Sequence, residues 1–97
     1  MLPQETARLV AAISATYPRW NPSPETTAAY HLLLQDLDAS MAREALTDCL
    51  KASTWEPAPA AIREAYEAVR ARHERERRER HDFQGLQDGP ESVERDR

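Results

Sequence analysis

The side chains able to do chemistry in this chain are three histidines, one cysteine, a few close carboxylates and a run of arginines. His73 and His81 lie two helical turns apart, on one face if the segment is a helix. The turn between them offers Arg77, a cation, where a metal would need another ligand, so no metal site is expected. His31 and Cys49 could form a base and thiol pair. No third group is placed to orient them, however, and no glycine-rich turn is placed to hold an oxyanion, so both are expected to be packing residues. Asp36 and Asp38 are close in sequence, but Asp38 sits where a helix N-cap belongs and Asp36 where a surface residue ends the preceding helix. Gly85 and Gly89 are the two glycines, both near the far end, which leaves no phosphate-cradling loop. The expectation is a protein with no catalytic, cofactor-binding or metal-binding residues, and not an enzyme.

The arginines from Arg70 to Arg80 allow three readings. Glutamates interleave them, so the plainest is a solvated, internally paired helix with pairs such as Glu74 with Arg78 and Glu76 with Arg80. A protein-docking surface is the second. Nucleic-acid binding is the third, weakened by a surplus of only two positive charges over residues 70–83 (six basic, four acidic). Residues 1–69 carry five basic and nine acidic groups, an acidic body that opposes a phosphate backbone.

The elements that must position these groups are helices. Pro3 to about Thr16 places Thr6, Leu9, Val10, Ile13 and Tyr17 three and four apart. Ser23 then stands as an N-cap before Pro24 and Glu25, opening a second helix to about Leu37 with Thr27, Tyr30, His31, Leu33 and Leu34 packed. Asp38 caps a third from Ala39 to about Ser53, burying Met41 or Ala42, Ala45, Leu46, Cys49 and Leu50. Ala61, Ile62, Ala65, Tyr66 and Val69 mark the inner face of a fourth. The fold class is all-α: a compact bundle of about four helices with a C-terminal helical extension and flexible tail. Its divisions are a core over residues 1–69, a charged extension over 70–83 and a disordered tail over 84–97.

Two aromatic and proline junctions bracket the middle helices, Tyr17-Pro18-Arg19-Trp20 and Trp55-Glu56-Pro57-Ala58-Pro59. Proline stops one helix and restricts the residue before it, so a bulky neighbour can plug the gap between helix ends. Trp55 is expected in the core, while Trp20, set among polar residues and prolines, could equally face a partner. The seam Ile62, Tyr66, Val69, His73, Glu76, Arg80, Phe83 is apolar for three positions and then fails, which argues against a coiled coil and for a monomer. One cysteine rules out an internal disulfide and suits a reducing compartment. With no signal-peptide pattern and no long apolar run, a soluble cytoplasmic protein is expected, without a membrane partner.

The order Tyr17-Pro18, Trp20, Tyr30, Leu34, Asp36-Leu37-Asp38, Ala45-Leu46, Ser53, Trp55, Pro57 and Ala61-Ile62-Arg63 resembles the phage replicative-helicase loader and inhibitor family, over about residues 5–69. The resemblance implies a helical N-terminal domain with a flexible C-terminal segment. It also implies a protein that binds a hexameric replicative helicase, suppresses it while bound and delivers it to an origin-binding initiator; the residues alone leave open a generic small α-helical adaptor or inhibitor of another phage or host protein, and less readily a small DNA-binding protein. Tyr17, Pro18, Tyr30, Leu34, Leu46, Trp55, Pro57 and Ile62 are the expected structural residues. Arg72, Arg75, Arg77, Arg78, Arg80, Phe83, Leu86 and Trp20 are the expected partner contacts. No specific nucleic acid is expected as a ligand. Ala58 stands where the family usually has a hydroxyl residue, so fraying at the start of the fourth helix is expected.

Overall fold

The structure, a computed structural model, describes residues 1–88, with side chains as far as Arg80. Four helices follow one another: α1 (Pro3–Thr16), α2 (Pro24–Leu34), α3 (Ala39–Ala52) and α4 (Pro59–Asp88). No strand occurs among the described residues. The two anticipated side-chain caps are formed. Ser23 Oγ accepts from Thr26 N at 3.1 Å to start α2, and Asp38 Oδ2 accepts from Met41 N at 3.0 Å to start α3.

α3 packs chiefly on α4 and α1 on α2, with thinner contacts between α1 and α3 and between α2 and α4. The core gathers Leu9, Val10, Ile13, Tyr30, Leu34, Leu37, Ala42, Ala45, Leu46, Cys49, Ile62, Tyr66 and Val69, all buried. Tyr17, Trp20, Met41, Leu50 and Ala65 pack partly buried around it. The small Ala42 and Ala45 let α3 lie close against α4.

Three sequence expectations are corrected. α2 ends at Leu34 rather than near Leu37. The early stop allows a turn in which Leu37 N donates to Leu34 O at 3.0 Å and the Leu37 side chain drops into the core. Leu33 and Ala61, expected on packed faces, are exposed, because nothing covers the outer side of α2 and the α4 seam runs through Ile62, Tyr66 and Val69. Trp55, expected in the core, is 76% exposed. Pro57 and the Tyr30 ring take the place beneath the linker instead: Tyr30 Oη donates to Pro57 O at 2.9 Å. Replacing Trp55 with Ala should therefore change stability by less than about 1 kcal/mol, far from the cost of deleting a buried aromatic.

Expected to fray for want of a capping hydroxyl, α4 starts at Pro59 with Ala58 O accepting from Ala61 N and Ile62 N at 3.0 and 3.2 Å. Arg63 then clips this turn to the α2–α3 corner, donating from Nη1 and Nη2 to the two Asp36 oxygens at 2.8 and 3.0 Å and from Nη1 to Leu33 O at 2.9 Å. Past His73, the last residue of α4 to touch α3, the helix runs out from the bundle. Its 30 residues span about 45 Å at 1.5 Å per residue, which makes the molecule 65 × 26 × 18 Å. Of the tail expected over residues 84–97, residues 84–88 are helical as the end of α4, and residues 89–97 lie outside the described residues.

Candidate protein-docking surfaces

The two aromatic and proline junctions, far apart in sequence, meet in space. Tyr17 Oη donates to Ser53 O at 2.9 Å, tying the end of α1 to the end of α3. The Trp20 ring stands 5.7 Å from that of Tyr30, tilted by 56°, a geometry favourable for aromatic pairs. Between the junctions lies a cleft of about 490 Å³ walled by Tyr17, Pro18, Arg19, Trp20, Trp55 and Glu56. Trp20 is half-buried, one face spent on the core and the remainder turned to this cleft, whereas Trp55 reaches well into solvent. Desolvation, and after it the charge of Glu56, raises the Tyr30 phenol above its ordinary pKa, so the hydroxyl stays a donor to the linker. An aromatic cleft open to solvent can anchor a protein partner, since Trp and Tyr supply large contact area at low entropic cost.

At the other end of α4 the arginines divide. Arg72 turns back onto α3, where it pairs with Glu44 and, at 3.9 Å, with Asp48. His73 Nε2 lies 2.9 Å from the other Glu44 oxygen. Arg70 pairs along its own helix with Glu67 at 2.6 Å and Glu74 at 3.9 Å. Arg72 is thus partly occupied inside the molecule, while Arg75, Arg77, Arg78 and Arg80 project from the exposed arm. Among the described residues, neither Glu74 with Arg78 nor Glu76 with Arg80 closes an ion pair. Phe83 and Leu86, the expected apolar anchors, lie outside the residues whose side chains are described.

The contact of Glu44 with α4 joins residues 28 and 29 positions apart, which no local spacing reveals. Hydrogen bonds from His73 and then Arg72 hold the Glu44 carboxyl below its ordinary value of 4.5. A depressed carboxylate contributes stability that is complete above its unfolded pKa and fades as pH falls through its folded one. The difference in melting temperature between the native chain and Glu44→Gln should therefore shrink as the pH falls below about 4.5. A difference unchanged down to about pH 3 would show that the charge of Glu44 does not matter.

The other reactive groups are not brought together. His31 Nδ1 shares a hydrogen bond of 2.9 Å with Thr6 Oγ1 on α1. Cys49 is buried where α3 meets α4, its thiol donating to Ala61 O at 3.7 Å, and burial raises its pKa. Asp38 is spent as a cap and Asp36 on Arg63. Among the described residues, no three His, Cys, Asp or Glu side chains gather as ligands, and no helix is long and apolar enough to cross a membrane.

No curated protein and no solved structure matches the chain significantly. A family model does: the model for the N-terminal domain of the gene 39 protein matches residues 1–63, which takes in α1, α2, α3 and the first turn of α4. With its four-helix head matched over most of its length, the chain belongs to the gene 39 protein N-terminal domain family, that of the phage helicase loader and inhibitor.

Proposed function

We propose that this protein is a non-enzymatic replication adaptor that binds a hexameric replicative helicase in the cytoplasm of the phage's host, restrains it while bound and helps place it at an origin. Membership of the gene 39 protein family supports helicase binding. The observation that carries the reading furthest is the shape of α4, which closes the head with Ile62, Tyr66 and Val69 and then continues outward as an arginine-bearing arm. Forked guanidinium groups suit the carboxylates of a protein surface. The Trp20–Trp55 cleft, at the opposite end of α4, supplies a second contact.

DNA binding draws less support, since Arg70 and Arg72 already pair with Glu67, Glu74, Glu44 and Asp48. The test is binding of a purified hexameric helicase to the full chain and to a chain ending at Arg75, which keeps the Glu44 contact but removes most of the arm. The full chain should bind and the shortened one should lose affinity while keeping a helical head that melts cooperatively. Undiminished affinity would move the main contact to the head.

A further inference from the structure

α1 and α3 touch only thinly, and a groove of about 200 Å³ lies between them. Leu9 and Leu46, both buried, form its floor, and half-buried Leu50 extends it. Arg8 stands on the α1 lip and Arg43 on the α3 lip, both exposed. Arg63, Arg70 and Arg72 are each held by a carboxylate, but Arg8 and Arg43 make no ion pair among the described residues. Glu5, also on the α1 wall, accepts from Leu2 N at 2.7 Å through one carboxylate oxygen, so the groove holds one carboxylate against two guanidinium groups. An otherwise acidic body thus presents an apolar trough with one guanidinium on each bank.

Carboxylates on both flanks of an apolar ridge complement this pattern, and on a helix such a ridge arises from apolar residues at i, i+3 or i+4, and i+7. Phosphates alone would leave the leucine floor without a counterpart. We propose that the α1–α3 groove docks an acidic amphipathic helix of a partner protein. Its carboxylates pair with Arg8 and Arg43, and its apolar residues cover Leu9, Leu46 and Leu50. This surface is distinct from the Trp20–Trp55 cleft and from the arm, so it gives the head a second grip that does not depend on the helicase reading.

The test uses the full chain and fluorescein-labelled synthetic helical peptides with leucines at i, i+3, i+7 and i+10 and glutamates on both flanks, each paired with a version carrying lysine for glutamate. Three leucine registers cover the unknown spacing. At least one glutamate peptide should bind saturably, shift the amide resonances of Leu9, Leu46 and Leu50, and lose at least about tenfold in affinity to the double variant Arg8→Glu, Arg43→Glu. The lysine peptides should gain affinity for that variant. Both arginines are exposed, and unchanged circular dichroism would show that the variant folds. Failure of all three glutamate peptides to bind, equal binding of the lysine peptides to the native chain, or resonance shifts confined to other surfaces would overturn the proposal. So would a short DNA duplex that binds the groove more tightly than the peptides.

Discussion

Replacing Leu34 with Ala is expected to destabilise the head by about 2–5 kcal/mol, because the side chain is fully buried where α2 meets the other helices. A domain of this size has only about 4–10 kcal/mol to lose, at roughly 0.05–0.15 kcal/mol per residue. The melting temperature should fall by at least about 8 °C, at roughly 4–8 °C per kcal/mol for a small domain. The flanking Leu32 and Leu33 supply the contrast: at 68% and 52% exposure, their replacement by Ala should shift the melt little. Chemical denaturation of the three variants checks this directly. A loss under about 1 kcal/mol at Leu34 would mean that α2 is not anchored as described.

The second large effect is expected at Trp55, on binding rather than stability. A solvent-exposed tryptophan on a pinned linker has few rotamers to lose and much area to bury. Trp55→Ala should weaken helicase binding by about 2 kcal/mol or more, roughly thirtyfold, while leaving the melt within about 1 kcal/mol. Wild-type affinity in a folded Trp55→Ala variant would remove the cleft from the helicase footprint. A loss of about 3–5 kcal/mol in stability would instead return Trp55 to a structural role.

The residues that were legible in the sequence are those whose role is set by their neighbours along the chain. Ser23 before Pro24, and Asp38 before Ala39, are capping positions whatever the rest of the molecule does, and both cap. Ile13, Leu34, Ala45, Leu46, Ile62, Tyr66 and Val69 follow helical spacing into the core. The departures come from contacts between distant segments. Both Trp55 and Pro57 border the same helix stop, and local pattern cannot say that the Tyr30 hydroxyl, 27 residues away, would pin Pro57 and leave Trp55 outside. Leu33 and Leu34 are chemically alike, but they point to different sides of α2: Leu34 shares the covered face with Tyr30, and nothing packs over the side that Leu33 occupies. The pairing of Arg72 and His73 with Glu44 depends on how α4 crosses α3, and it draws Arg72 partly away from the partner contacts expected of the arm.

The central proposal is that this chain holds a hexameric replicative helicase and restrains it. The most direct measurement is the ATPase rate of that helicase, titrated with the full chain and followed in parallel by sedimentation of the complex. The account predicts a saturable fall in ATPase that tracks formation of the complex and is relieved when the chain ends at Arg75. A helicase whose ATPase is unchanged, and which sediments alone at micromolar concentrations of the full, folded chain, would contradict it.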